Sequence, residues 1–317
     1  MITGRDFIIT GLQPWDIAIG SNAKDIAREI AKNNRVLYVN TPVDMLNYLM
    51  HPQSPDIQHT KTLIKNKKNG LSQIPANLWT LDCPFCAFPV NCFPDGFLFD
   101  AVNRLNNKRI CKHILSAAQE LRFTDHILLI DNDIYRSFYA KEFLKPRISI
   151  YYRRDNMTSA FWKKHAPRLE PLLCSKSDLV ATNSPQLAEA VKSYNSNCHD
   201  IGQGVDLESF RDGASYLLPE DMKKIKRPII GYMGWITSRR LDADLMYEAA
   251  KRLPECSMVL VGGEDDYFKS HKLHSLGNVF FLGEKQQAET AAYFDVCINP
   301  QSVNDITIGN YPRKVDE

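Results

Sequence analysis

The chain reads as an α/β protein of two doubly wound domains. Short, continuously apolar runs recur, such as RVLYVN at 35–40, ILLID at 127–131 and SMVLV at 257–261. Runs of that length suit strands covered on both faces, as in parallel sheets. They alternate with segments of helical apolar spacing, which is the grammar of βαβ units. A charged stretch then divides the 317 residues, running from Asp212-Gly213 to Lys223, Lys224, Lys226 and Arg227. Such a stretch suits a domain boundary. The expected domains are 1–212 and 213–317, facing each other, each long enough for a core of its own.

The elements follow in order. Residues 6–10 form a short apolar strand, and a loop then runs to Gly20. Ser21 or Asn22 caps a helix whose Ala23, Ile26, Ala27, Ile30 and Ala31 share one face. With the strand at 35–40 this makes a right-handed βαβ unit. The loop ending Gly20-Ser21-Asn22 sits at a strand's carboxyl end, where open α/β sheets bind ligands. Capping and ligand contact are compatible there. Residues 44–76 read as a polar loop carrying Lys61, Lys65, Lys67 and Lys68 beside Leu63 and Ile64. Solvation explains such a cluster, and contact with an anionic membrane or a phosphate-bearing lipid is the alternative.

Residues 77–83 are strand-like and 96–122 helical, with Asn106-Asn107-Lys108 breaking the register so that one helix or two would serve. The strand at 127–131 ends in Asp131-Asn-Asp133. Asp133 either faces the carboxyl-end loops or caps the helix that follows at 135–144. The strand at 147–152 leads to Arg153-Arg-Asp-Asn156, which points two cations and a carboxylate at the same edge. A helix containing Trp162 and Leu169, a strand at 178–183 and a helix opened by Ser184-Pro185 complete the first half.

In the second half, Arg227-Pro-Ile-Ile-Gly-Tyr-Met-Gly-Trp-Ile-Thr-Ser-Arg-Arg-Leu-Asp242 concentrates the chemistry. It reads as a strand at 228–233, turns at Gly231 and Gly234, and a helix at 239–252 with Arg239 and Arg240 near its start. Such a segment aims backbone N–H groups at one point and suits an anion such as phosphate. Strands follow at 257–261, 278–282 and 295–299, with a short helix at 286–293. If the strands are parallel, three carboxyl-end loops converge: Gly234 with the arginine pair, Gly262-Gly263-Glu264, and the segment from Asn299 to Glu317. Together they offer cations and N–H groups for a diphosphate, and a carboxylate for ribose hydroxyls.

Composition excludes several classes. A net charge of +2 gives no reason to expect nucleic acid. No apolar run is long enough to cross a bilayer, and the first residues do not form a signal peptide. The expected location is the cytoplasm, with the inner face of the membrane as an alternative. Of eight cysteines, only Cys83-Pro-Phe-Cys86 has a redox or metal spacing, and no second pair supplies four ligands. GxGxxG, GxxxxGK[ST] and HExxH are all missing, so dinucleotide, P-loop and zincin readings lack their defining residues.

The protein resembles the two-domain GT-B glycosyltransferases, specifically the nucleotide-sugar-dependent family-4 (group 1) bacterial type. The resemblance spans essentially all of its length. It rests on the capped first helix after a ligand loop, on Lys176-Ser-Asp-Leu-Val-Ala-Thr-Asn-Ser184 and on Gly202-Gln-Gly-Val-Asp206. It rests also on Gly231-Tyr-Met-Gly234 with basic residues downstream, on Val259-Leu-Val-Gly-Gly263 and on Pro312-Arg-Lys-Val-Asp-Glu317. It implies that a nucleotide-diphosphate sugar binds the second domain and a glycan or lipid-linked acceptor the first. Gly234, Arg239 or Arg240, and Lys314 would contact the diphosphate, and Glu317 the ribose. Gly20 and Ser21 would approach the donor phosphates, and Asp155 is the best match to the group beside the sugar. Its carboxylate would alternatively be salt-bridged to Arg153 or Arg154. The family needs no metal or cofactor, because helix N-termini and basic side chains stabilise the departing diphosphate. Retention of configuration and a role in cell-surface polysaccharide assembly come from the same resemblance.

Departures from the family pattern stand at two positions. Trp235 occupies a place where an arginine is common, and Gly309 one where a second glutamate is common. The family's later strands and final helix do not follow Glu317. The second domain is therefore expected to be incomplete, and the protein truncated at its carboxyl end. The rival functions are a sugar-nucleotide epimerase of the same fold and a binding subunit without turnover.

Overall fold

The computed structural model describes residues 2–16, 21–74, 77–157, 160–204, 219–285, 294–308 and 312. The protein divides into two compact units, Met1–Gly204 and Val205–Glu317. The boundary expected at 212/213 and the helix expected at 286–293 lie outside the described residues, as do Gly20, Gly309, Lys314 and Glu317.

The first unit is built on an eight-stranded sheet. In sequence order its elements are β1 (Asp6–Gly11), α1 (Asn22–Ala31), β2 (Arg35–Asn40), α2 (Met45–Met50), α3 (Pro55–Lys65), β3 (Leu71–Gln73), β4 (Leu78–Leu81) and α4 (Phe97–Glu120). Then come β5 (Ile127–Asp131), α5 (Ala140–Leu144), β6 (Ile148–Arg153), α6 (Ala160–Lys163), α7 (Ala166–Lys176), β7 (Leu179–Thr182), α8 (Pro185–Val191) and β8 (Cys198–Asp200). The order across the sheet is β3-β4-β2-β1-β5-β6-β7-β8. Only β3 runs antiparallel to its neighbour; the other pairings, such as Ile8↔Leu37 and Ile8↔Leu128, are parallel.

Side-chain alternation divides the core between the two faces of this sheet. Phe7, Ile9, Val36 and Tyr38 pack with Ala23 and Ala27 of α1 on one face. Ile8, Leu37 and Leu128 pack with Ile110, Ile114, Leu169 and Leu173 of α4 and α7 on the other. Burial on both faces is why the central positions of these strands are apolar in unbroken succession.

One expectation is corrected here, and one open choice is decided. Residues 44–76 are not a loop: Asp44 caps α2, and Ser54-Pro55 opens α3. Ile57, Thr60 and Leu63 fall on the inner face of α3 and are buried. Nor does α4 break at its asparagines. Asn106 bonds both the N–H and the C=O of Phe88, at 2.9 and 2.8 Å. Asn107 donates to the Tyr135 carbonyl at 2.8 Å and accepts from the Tyr139 N–H at 2.9 Å. These amides are buried because they satisfy loop backbone that has no sheet or helix partner.

The second unit holds β9 (Ile229–Met233), α9 (Ala243–Arg252), β10 (Ser257–Val261), α10 (Asp266–Lys269), β11 (Val279–Phe281) and β12 (Val296–Cys297). The order is β11-β10-β9-β12, all parallel. Tyr232, Met246, Met258, Leu260, Phe268 and Leu273 form the core on one face of the sheet. Gly231 lies within β9 rather than in a turn. A side chain there would start 2.0 Å from the ring of Phe294, so the glycine makes room for that ring.

Candidate functional site

In the second unit β9 has its successors β10 and β11 on one side and β12 on the other. The connections therefore reverse direction across the sheet at the carboxyl end of β9, the position where open α/β sheets form a ligand crevice. Gly234, Gly262 and Asn299 stand around that point.

The glycine turn is a close crossing of two backbones. Gly262 has φ +140°, and a Cβ on it would lie 1.9 Å from the Gly234 carbonyl oxygen. The N–H of Gly234 donates to Val261 at 2.9 Å and that of Gly262 to Gly283 at 2.8 Å. Both are thus consumed by the sheet and not directed at a ligand. Trp235 is 58 % exposed, and a Cβ on Gly263 would lie 2.4 Å from its ring. The Glu264 carboxylate lies 2.9 Å from His274 Nε2, and that imidazole stacks on Phe281 with centroids 3.8 Å apart.

Arg239 and Arg240 are not in the helix. They lie in the turn before it, because Asp242 caps α9 by accepting from the Leu245 N–H at 2.8 Å. Other bonds hold this turn from both sides. Asp265 Oδ2 accepts from Thr237 Oγ1 at 3.0 Å, the Ser238 N–H at 2.7 Å and Ser238 Oγ at 2.8 Å. Asn304 Nδ2 donates to the Arg239 carbonyl at 3.0 Å, Ser302 N–H to the Arg240 carbonyl at 2.9 Å, and Asp242 N–H to the Pro300 carbonyl at 3.0 Å. Burial alone would raise the pKa of Asp265, but the Phe268 and Ser238 donors outweigh it and hold the carboxyl below its ordinary value.

The two arginine side chains are exposed, and no carboxylate pairs with them among the described residues. A fixed turn thus presents two cations without a countercharge, which is an anion-binding arrangement. At the same sheet edge, Asn299 Oδ1 is buried without a hydrogen-bond partner, so a donor from a ligand or water would satisfy it.

The first unit has its own switch point, between β1 and β5. Asp131 closes β5 with its side chain fully buried; Arg154 Nε donates to its Oδ1 at 2.6 Å and the Leu12 N–H to its Oδ2 at 3.1 Å. Arg154 also binds Asp155 through Nη1 at 2.9 Å. Burial opposes the charge of Arg154, but Asp131 and Asp155 raise its pKa above the ordinary value. Asp155, with 39 % of its side chain exposed, is therefore held by Arg154 while remaining accessible.

Arg153 does not join this edge. As the last residue of β6 its side chain turns to the opposite face, where it is buried and donates to Glu170 Oε1 at 2.7 Å. Asp133 is buried and accepts from the N–H groups of Tyr135 and Arg136 at 2.9 and 3.0 Å, so it serves as a turn cap. Ser21 caps α1 by accepting from the Lys24 N–H at 3.3 Å. Asn22 donates to the Tyr152 hydroxyl, and its Oδ1 is buried without a partner, as are Thr10 Oγ1 and Asn183 Oδ1. Thr10 and Tyr152 escape sequence reading because each sits in an apolar strand, and Asn183, although within the segment 176–184, carries no signal that separates it from its neighbours.

Cys83 is buried, and that burial pushes its thiol up to about 12, which leaves the CxxC without a ready thiolate. Among the described residues no three His, Cys, Asp or Glu side chains gather to hold a metal ion.

No family model and no curated protein sequence matches this protein. Solved structures do. HepE of Anabaena in complex with UDP aligns with a TM-score of 0.55 at 14% identity, over 95% of this chain and 75% of its own. The apo form of OtsA aligns with a TM-score of 0.58 at 11% identity, over 93% and 78%. A Listeria monocytogenes protein described as a UDP-N-acetylglucosamine 2-epimerase aligns with a TM-score of 0.53 at 10% identity, over 90% and 70%. The fold is that of the GT-B glycosyltransferases.

Proposed function

We propose that the protein is a glycosyltransferase that moves a sugar from a nucleotide-diphosphate donor to a glycan or lipid-linked acceptor, in assembling cell-surface polysaccharide. The observation that carries this reading is the exposed pair Arg239 and Arg240, unpaired with any carboxylate among the described residues, on a turn locked by Asp265 and Asn304 at the switch point of the second sheet. HepE, of the same fold, was solved with UDP. In this reading the two guanidinium groups take the diphosphate, and Trp235 offers an aromatic face for the base or sugar. Lys314 and Glu317 complete the donor site, with Glu317 on the ribose. From the family resemblance we assign phosphate contact to Gly20 and Ser21 and sugar contact to Asp155.

Guanidinium groups aimed at the leaving diphosphate stabilise the charge that develops as the glycosidic bond breaks. We therefore expect turnover without an added metal or cofactor; retention of configuration is expected from the family resemblance alone. Chelator treatment followed by assay checks the first, and the anomeric signal of the product by NMR checks the second. We further propose a cytoplasmic location.

The epimerase of similar fold makes donor isomerisation the second reading. Thermal-shift titration with nucleoside diphosphates and nucleotide sugars tests both. A ligand at a hundredfold its Kd adds about 2.7 kcal/mol of stability. Stabilisation by none of them would overturn the proposal, and donor consumed without acceptor would select the epimerase.

A further inference from the structure

The helix α2 buries none of its residues. Leu46, Leu49 and Met50 stand at i, i+3 and i+4, which makes one apolar stripe on the helix, and their exposures are 47%, 69% and 68%. Next to it, α3 turns Ile57, Thr60 and Leu63 inward. Ile64, 44% exposed, and the exposed Lys65 lie in its last turn, and Lys67 and Lys68, also exposed, follow its C-cap Asn66. Lys61 ties the two helices together: its Nζ donates to the Pro52 carbonyl at 3.0 Å and lies 5.4 Å from the centre of the Tyr48 ring. Residues 44–68 carry four lysines against Asp44 and Asp56, and the carboxylate of Asp44 is engaged in capping α2.

We propose that α2 and the C-terminal end of α3 dock the protein on an anionic lipid bilayer. Leu46, Leu49, Met50 and Ile64 enter the headgroup boundary, and Lys65, Lys67 and Lys68 meet the lipid phosphates. Charge complementarity selects this occupant: an apolar stripe flanked by lysines matches an interface that is oily within and negative at its surface. A neutral protein partner would leave the lysines unmatched. Because α2 follows β2, the surface lies at the carboxyl edge of the first sheet. It belongs to the first unit, whereas Arg239 and Arg240 belong to the second, so the proposal does not depend on the sugar-transfer reading.

The test is sedimentation of the full-length protein with phosphatidylcholine vesicles, with and without a third of phosphatidylglycerol. Binding is expected only to the anionic vesicles and should weaken as salt is added. Lys65→Gln/Lys67→Gln/Lys68→Gln should cut partitioning about fivefold per lysine, about a hundredfold in all. Leu49→Ser/Met50→Ser should weaken it with the lysines intact. Since the substituted side chains lie on the surface, both variants should keep the native thermal midpoint. Equal binding to neutral and anionic vesicles, or unchanged binding of the lysine variant, would overturn the proposal. So would a concentration-dependent dimer, abolished by Leu49→Ser/Met50→Ser, in a protein that ignores vesicles.

Discussion

Arg154 reaches back from beyond the end of β6 to place its Nε 2.6 Å from Oδ1 of Asp131, a carboxylate with no exposed surface. The pair spans the carboxyl edge of the first sheet and also fixes the Arg154–Asp155 contact at 2.9 Å. Replacing Arg154 by Met leaves the Asp131 carboxyl buried without its ion-pair partner. A loss of about 3–5 kcal/mol in unfolding free energy is expected, measured by urea denaturation. The double change Arg154→Met/Asp131→Leu should recover much of it, since removing both charges removes the unpaired one.

Arg239→Ala and Arg240→Ala address the anion site. Both side chains are exposed and pair with no carboxylate among the described residues, so the thermal midpoint without ligand should hold. Losing a charged hydrogen bond costs about 1.5–3 kcal/mol, or roughly 10–150-fold in Kd for each arginine. Calorimetric titration with UDP measures this; unchanged affinity in both variants would move the diphosphate elsewhere.

Gly262→Ala forces a side chain 1.9 Å from the Gly234 carbonyl at φ +140°. Since backbone must shift to admit it, a loss of about 3 kcal/mol is expected in the second unit. Gly277→Ala, where a Cβ meets nothing within 4 Å, is the control and should change stability by less than about 0.5 kcal/mol. Equal losses at the two positions would contradict the close-crossing account.

Asp265 links the site to pH. Its folded pKa lies below the ordinary value, so the unfolded protein binds its proton first and stability rises with pH through that window. The contribution is complete above the unfolded carboxylate pKa of about 3.9 and is lost as pH falls through the lower folded value. Urea unfolding of the native protein should therefore weaken more steeply below about pH 4 than that of Asp265→Asn. Parallel curves for the two proteins would remove Asp265 from this role.

Much of the architecture is readable from residue order. The runs RVLYVN, ILLID, LVAT and SMVLV all form strands near their expected bounds, because burial on both faces demands uninterrupted apolar residues. Ser21 and Ser184 cap the helices they precede, since capping is a local bond. Residues 44–65 read as loop and fold as two helices, because α3 needs only Ile57, Thr60 and Leu63 inward and α2 buries nothing. Their apolar signal is too sparse for periodicity to register.

The candidate site is less legible. Residue order alone determined that Gly234, the arginine pair, the Gly262-Gly263 turn and Asn299 follow parallel strands, and hence gather at one sheet edge. Tertiary structure alone decided what each side chain does there. It sent Arg153 to Glu170 and Arg154 to Asp131, although the two are adjacent, because alternate strand positions face opposite sides of a sheet. It spent Asp133 on the N–H groups of Tyr135 and Arg136 and Asp242 on that of Leu245, while leaving Arg239 and Arg240 without a carboxylate partner among the described residues. Spacing along the sequence sets which edge a residue reaches. Whether its charge is free to meet a ligand depends on partners brought in from distant segments, and those only the folded protein supplies.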